Sequence, residues 1–163
     1  MEINSIRIGN GYDVHRLEKD LPLILGGIRV EHTHGCVAHS DGDVLVHAIC
    51  DALLGSLALG DIGTHFPDTD EAYKGINSLE LLTKVVHLLN GQGYAIVNID
   101  GVIALQLPKI KPHILQMRES LAAAMGVHIG AVSVKATTTE HLGFEGRQEG
   151  ISAYAVALVY KKQ

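Results

Sequence analysis

The stretch Asp43-Val44-Leu45-Val46-His47-Ala48-Ile49-Cys50-Asp51-Ala52-Leu53-Leu54-Gly55-Ser56-Leu57-Ala58-Leu59 decides the fold. It reads as a helix, apolar nearly all round, in which Asp43, His47 and Asp51 form one polar stripe at i, i+4 and i+8. A helix of this kind belongs in a core, and polar groups inside a core need partners. Ser40 and Asp41 just upstream read as its start, so the pattern predicts helix 44–59. Upstream, residues 3–17 read as a first strand interrupted by Gly9 and Gly11, and 21–30 as two short strands about a Gly26-Gly27 turn. Residues 31–35 read as a polar loop, and 60–75, rich in Gly, Asp and Thr, as a long loop of the kind that often carries function. Ser78 followed by Leu81, Leu82, Val85, Val86 and Leu89 predicts an amphipathic helix ending near Asn90-Gly91. A central strand over 94–107 and a helix over 112–125, opened by Pro112 and closed by Gly126, follow. Strands over 131–136 and 151–160 flank a short turn or helix near 139–143. The sum is an α+β protein, one mixed sheet with about three helices on one face, in a single domain spanning 1–163.

Composition narrows the function classes. The chain has 163 residues, 47% hydrophobic and 19% charged, which excludes a disordered chain. A chain this long buries about 70% of its unfolded surface, so a core forms without disulfides. With no Trp and 4% aromatic residues, that core is built from Val, Ile, Leu and Ala. Cys36 and Cys50 are too few for a disulfide framework, which points to a reduced, cytoplasmic setting. The first residues lack the basic and apolar regions of a signal peptide, and no run reaches the roughly 18 apolar residues of a membrane span. A net charge of −5 with scattered Lys and Arg disfavours nucleic acid as a partner. An acidic chain that binds an anion would use metal ions and backbone N–H groups for positive charge.

The chemistry-bearing residues begin with Asp13 and His15. Two apart on a strand, they leave the same face. Joined by His47 from the apolar helix, they make a carboxylate and two imidazoles suited to Zn²⁺ with an open fourth position. Asp13-x-His15 alone is a weak signal that a surface pair explains equally well; a buried His47 shifts the balance. Asp43 and Asp51 are the carboxylates available to orient it. His39, just before the expected helix start at Ser40, suits an anion, although a simple cap at Ser40 also fits. Lys135-Ala136-Thr137-Thr138-Thr139-Glu140 has two readings: a capping box from Thr137 to Glu140, or hydroxyls on phosphate with Glu140 ligating a hard cation such as Mg²⁺. Asp61, Asp68 and Asp70 are either turn formers or acceptors for sugar-like hydroxyls. His32 and His34 read as solvated loop residues, and His87, His113, His128 and His141 as surface or cap residues. No activated nucleophile, P-loop or dinucleotide fingerprint is present.

Read in order, the motifs Gly11-Tyr12-Asp13-Val14-His15-Arg16-Leu17, His39-Ser40-Asp41-Gly42-Asp43-Val44, Phe66-Pro67-Asp68-Thr69-Asp70, Gln106-Leu107-Pro108-Lys109, Lys135 to Glu140 and Leu142-Gly143-Phe144-Glu145-Gly146-Arg147 resemble the 2-C-methyl-D-erythritol 2,4-cyclodiphosphate synthase family. The likeness runs from Ile8 to about Leu158. It implies an intramolecular phosphoryl transfer in the non-mevalonate isoprenoid pathway, in which a 2-phosphate attacks the β-phosphate of a CDP group and CMP leaves. It implies Zn²⁺ on Asp13, His15 and His47, and Mg²⁺ or Mn²⁺ on the diphosphate with Glu140 as its protein ligand. His39 and Thr138 would stabilise the pentacoordinate phosphorus. Substrate contacts would come from Asp13, Val14, His15, His39 and Ser40, and from Asp61, Ile62, Gly63, Phe66, Pro67, Asp68, Thr69 and Asp70 around the erythritol. Around the cytidine they would be Leu105, Gln106, Leu107, Pro108, Lys109, Ile110, Lys111, Ala136, Thr137, Thr138, Thr139 and Glu140. The family pattern further implies a homotrimer with shared active sites, and a central cavity near Phe144 and Arg147 that holds isoprenoid diphosphates. Val102, Leu107 and Lys111 depart from the family's usual residues. A zinc phosphodiesterase and a non-enzymatic trimeric sensor of metal or isoprenoid phosphate are the competing readings.

Overall fold

A computed structural model describes residues 5–67, 69, 71–73 and 75–163. Its frame is a five-stranded mixed sheet in the order β4-β1-β7-β5-β6, formed by β1 (Ile6–Lys19), β4 (His34–Cys36), β5 (Tyr94–Ala104), β6 (Val132–Thr137) and β7 (Gly150–Lys161). Only β5 and β6 run parallel. A two-stranded ribbon, β2 (Leu23–Leu25) with β3 (Ile28–Val30), turns at Gly26 and Gly27, both at positive φ. Among the described residues there are three long helices, α1 (Val44–Ser56), α3 (Ser78–Gly91) and α4 (Ile114–Met125), and two of four residues, α2 (Ile62–His65) and α5 (Gly143–Gly146). The α+β class and the mixed sheet hold, with β5 in the interior of the sheet as its long apolar run predicts.

Helix α1 is the axis of the core. Leu45, Ile49, Leu53 and Leu54 are essentially fully buried, each worth roughly 1.5–3 kcal/mol of transfer free energy. α1 lies on β1 and β7, α4 lies on β6, and α3 packs beside both helices. On β7, Ile151, Ala153, Ala155, Ala157 and Val159 face these helices and are buried. The alternate residues Tyr154 and Val156, with Ile8, Tyr12 and Val14 of β1, are exposed on the outer face.

Several boundaries differ from the sequence reading, each for a local reason. Gly9 and Gly11 do not interrupt β1, which pairs with β7 without a break from Ile6 to Arg16. They are instead the places where α1 touches the strand: a Cβ on Gly9 would lie 2.0 Å from the Ala52 carbonyl oxygen. α1 starts at Val44 as predicted, but its cap is Asp43 rather than Ser40 or Asp41, and it ends at Ser56, short of 59, because Ala58 takes a left-handed conformation at φ 57°. The region 31–35 contains the start of β4, and the loop 60–75 holds α2 and the single turn Glu71–Tyr73. α4 begins at Ile114, after a turn at Lys111–His113, and closes on left-handed Gly126. Thr137 and Glu140 form no capping box, because Glu140 and His141 sit at φ 52° and 65°, where no helix can start.

Candidate metal centre and adjoining cavities

The small residues of the sheet set the site. Gly11 on β1 lets the backbone of α1 come so close that a Cβ there would meet the Ala48 carbonyl oxygen at 2.0 Å. That approach brings His47, in the first turn of α1, over the next two inward positions of β1, Asp13 and His15. Asp13 Oδ2 lies 3.0 Å from His15 Nε2 and 2.9 Å from His47 Nδ1, and the two ring nitrogens are 3.2 Å apart. The ligating atoms of these three residues form the one group with metal-site spacing among the described residues.

The donor triangle fits a small divalent cation. Ligands about 2.0–2.1 Å from a tetrahedral ion are separated by about 3.3 Å, close to the three edges found here. One carboxylate oxygen and two imidazole nitrogens are borderline donors that suit zinc. Burial pushes the Asp13 carboxyl up, but the hydrogen bonds with His15 and His47 outweigh it and hold it well below the ordinary range. Burial pushes His47 down, and its bond with Asp13 more than reverses this. Asp13 is therefore an anion at neutral pH, and the site attracts positive charge.

The polar stripe of α1 resolves differently from the sequence reading. Asp43 and Asp51 do not hold His47. Asp43 is fully buried and accepts from three backbone N–H groups: Gly26 at 3.0 Å, Gly27 at 2.6 Å and Val46 at 3.1 Å. It ties the start of α1 to the β2–β3 turn. Asp51 accepts from the Ile62 N–H at 2.8 Å and anchors α2. His47 Nε2 instead meets Ser78 Oγ at 2.9 Å and Ser40 Oγ at 3.1 Å. Ser78 lies 31 residues away at the start of α3, so no local pattern could pair it with His47.

The triad opens into a cavity of about 380 Å³, lined also by His39, Ser40, Ile62, Gly63, Phe66 and Pro67. Ala38, Tyr73, Ile76 and Leu81 complete its wall, and none of them was read from the sequence as part of a site. The Phe66 and Tyr73 rings meet edge to face at 5.5 Å, and Lys84 Nζ sits 5.2 Å from the Tyr73 ring centre. His39 is exposed beside the cavity, its carbonyl accepting from Gly75 N at 2.8 Å. The N–H groups of a helix start do not lie at Ser40, because α1 begins four residues later and Asp43 occupies them. Asp61 caps α2, with its Oδ1 accepting from Thr64 N and Oγ1 at 2.9 and 2.8 Å. Thr69 is exposed, and Asp68 and Asp70 lie outside the described residues. The Val14 side chain leaves the opposite face of the sheet from Asp13 and His15.

A second, smaller cavity of about 120 Å³ is lined by Leu105, Pro108, Lys109, Ile110, Lys111, Ala136, Thr137 and Thr138. Gln106 is buried and its Oε1 accepts from His141 N at 3.2 Å, tying together the two loops that form this pocket, while Leu107 is exposed. Glu140 stands apart from the histidine triad, and its Oε1 accepts from the Thr138 hydroxyl at 2.8 Å. Thr139 Oγ1 donates to the Leu142 carbonyl at 2.5 Å. Phe144 packs over Gly150, and Arg147 is exposed in a two-pronged ion pair with Glu149 at 2.9 and 3.0 Å. Cys36 and Cys50 are buried free thiols; burial pushes the Cys36 thiol up to about 12, so neither is a ready nucleophile.

Fold and site together define an α+β protein with two histidines and a carboxylate at metal-ligand spacing, at the end of a ligand-sized cavity. Residues 6–160 match the YgbB family model, and the chain belongs to that family. It is 59% identical over 155 residues to the 2-C-methyl-D-erythritol 2,4-cyclodiphosphate synthase of Thioalkalivibrio sulfidiphilus, covering 95% of this chain and 97% of that one. The synthase of Porphyromonas gingivalis is 58% identical over 94% of both chains. Among solved structures, the bifunctional IspDF of Campylobacter jejuni superposes with a TM-score of 0.92 at 42% identity, over 96% of this chain and 42% of that one. A CDP complex of Plasmodium falciparum IspF superposes at 0.86 and 33% identity, over 99% and 100% of the two chains.

Proposed function

We propose that this chain catalyses the reaction its relatives are named for. It converts 4-diphosphocytidyl-2-C-methyl-D-erythritol 2-phosphate to 2-C-methyl-D-erythritol 2,4-cyclodiphosphate with release of CMP. The observation that carries this reading is the convergence of Asp13, His15 and His47 at one end of a cavity large enough for a polyol phosphate. The nucleophile belongs to the substrate, so the protein's task is to hold two phosphates in line and balance their charge. This agrees with a site that has cation ligands and hydroxyls but no activated nucleophile of its own.

Asp13, His15 and His47 would hold Zn²⁺, which would supply Lewis-acid polarisation of a phosphate oxygen. His39 and Ser40, at the cavity mouth, donate to phosphate oxygens. Ile62, Gly63, Phe66 and Pro67 enclose the erythritol part and exclude water, with Asp61 and Thr69 nearby. The smaller cavity takes the cytidine: Leu105, Pro108 and Ile110 supply its apolar walls, and Lys109 and Lys111 sit at its rim. Ala136, Thr137, Thr138 and Thr139 present hydroxyl and backbone groups to the phosphates. Glu140 would be the protein ligand for Mg²⁺ or Mn²⁺ carried by the diphosphate.

The two cavities lie on different strands of one chain. Along the register Asp13↔Ala153, Ala153↔Ile103 and Ile103↔Ala136, three strand spacings separate them, about 14 Å across the sheet. A homotrimer that sets one chain's metal cavity against its neighbour's cytidine pocket completes the site. The outer sheet face supports such an assembly, with Ile8, Tyr12, Val14, Tyr154 and Val156 exposed together. Around the trimer axis, Phe144 and Arg147 would line a cavity for an isoprenoid diphosphate. No helix among the described residues is long and apolar enough to cross a membrane, and a single-domain, cytoplasmic enzyme fits the composition. The test is turnover of the cytidylyl substrate followed by phosphorus NMR. A cyclic diphosphate with CMP is the expected product; a linear phosphate would mean hydrolysis, and binding without turnover would mean a sensor.

A further inference from the structure

Three hydrogen bonds link the candidate metal centre to a carboxylate that no motif reading connected to it. Ser78 is fully buried at the first turn of α3. Its N–H donates to Asp41 Oδ2 at 2.9 Å, and its hydroxyl makes a very short bond to Asp41 Oδ1. The same hydroxyl oxygen lies 2.9 Å from His47 Nε2. Asp41 is itself fixed, its N–H donating to the Ile76 carbonyl at 3.2 Å and its Oδ1 accepting from Asp43 N at 3.2 Å.

The direction of this chain follows from chemistry. A carboxylate only accepts, so the Ser78 proton must point to Asp41. The Ser78 oxygen then has only lone pairs to offer His47, so Nε2 must be the donor. With Nε2 committed as a donor, Nδ1 is the nitrogen left to face Asp13 Oδ2 at 2.9 Å and His15 Nε2 at 3.2 Å. A cation binding there would replace the proton that Nδ1 otherwise shares with Asp13, and would find the Nδ1 lone pair already aimed at it. We propose that Asp41 and Ser78 are positioning residues that fix the His47 tautomer and aim Nδ1 at the metal, a carboxylate–serine–histidine relay reaching the ion from α3.

Ser40 Oγ, 3.1 Å from the same nitrogen, does not set this direction. It accepts from Gly42 N at 3.2 Å and keeps its own proton free for the cavity. The relay also explains why Asp43 and Asp51 can be committed to backbone N–H groups, since His47 is oriented from another helix. Ligating histidines held this way lose about 10–100-fold in metal affinity when the outer partner is removed.

This inference rests on the cation reading above, and the experiment separates the two. The full-length protein is stripped of metal, and Zn²⁺ affinity is measured by competition with a chelating dye for the parent, Ser78→Ala and Asp41→Asn. The zinc-loaded parent labelled with ¹⁵N-histidine is examined by NMR. The expected result is a protected Nε2–H on His47 in the parent, fast exchange of that proton in Ser78→Ala, and a 10–100-fold loss of zinc affinity. Asp41→Asn, which no longer forces the hydroxyl's direction, loses less. Should Ser78→Ala fail to fold, with folding followed by thermal unfolding in chelator, Asp41→Asn must still weaken zinc and loosen the Nε2 proton. A parent that binds zinc while both variants bind within about twofold of it overturns the relay alone. A parent that binds no zinc overturns the cation reading and the relay with it.

Discussion

Gly11 and Ala48 are in backbone contact: a Cβ on Gly11 would stand 2.0 Å from the Ala48 carbonyl oxygen and 2.8 Å from the Ala52 N–H nitrogen. This single approach determines how near His47 comes to Asp13, because Ala48 follows His47 on α1 and Gly11 precedes Asp13 by one inward position on β1.

Gly11→Ala is therefore expected to push α1 off the strand. Both groups it meets are backbone and cannot rotate away, so the cost should be at least the upper end of ordinary overpacking, about 3 kcal/mol. Zinc affinity should fall with it, because His47 moves relative to Asp13 and His15. Chemical denaturation together with zinc titration checks both, and an unchanged midpoint would contradict the packing account.

His47→Ala should abolish CMP release while leaving the fold intact, because the deleted imidazole bonds only Asp13, His15, Ser40 and Ser78 at the edge of the core. Chelator treatment of the parent should remove activity and added zinc should restore it. Zinc at 100 times its dissociation constant should stabilise the parent by about 2.7 kcal/mol and the variant hardly at all. Affinity should weaken as pH falls, since a proton competes for His47 Nδ1. Calorimetric melting with and without zinc provides the measurement.

Asp43 supplies a pH prediction of definite sign. Burial raises its carboxyl from 3.8 to about 6, although the N–H groups of Gly27, Val46 and Gly26 pull the other way. The folded chain thus holds a proton that the unfolded chain has released between pH 3.8 and about 6. Stability from this group is fully present below that window and is lost as pH rises through it. Asp43→Asn removes this titration and turns an amide N–H toward a backbone donor, costing about 1–3 kcal/mol. The parent's advantage over the variant should be largest near pH 4 and narrow toward neutrality, as urea unfolding at several pH values will show.

The proposed sharing of active sites between subunits predicts complementation. His47→Ala and Thr138→Ala chains should each be inactive alone, yet regain partial activity when unfolded and refolded together, because some sites then draw an intact half from each chain. Val156→Glu, on the outer sheet face, should break the assembly, read by light scattering, and should remove activity without unfolding the chain. Recovery no greater than either variant alone would place the whole site within one chain.

The order of strands and helices was legible in the sequence wherever burial is periodic. α3 and β7 alternate so regularly that the pattern places their ends within a residue or so. α1 was legible as a core helix beginning at Val44, but its cap was not. Ser40, Asp41 and Asp43 are all good caps, and only the β2–β3 turn beneath Asp43 shows which of them closes the helix. Gly9 and Gly11 look like strand breakers in one dimension and prove to be seats for a helix in three.

Asp13 and His15 share a strand face by local geometry alone, and the sequence by itself determined that pair, the apolar nature of α1 and the presence of a histidine on it. Only the tertiary structure decided how His47 is held. Strand and helix periods fix which residues share a face, over a few positions. They carry no information about contacts between segments 31 residues apart, such as His47 with Ser78, which arise when three elements pack around one core.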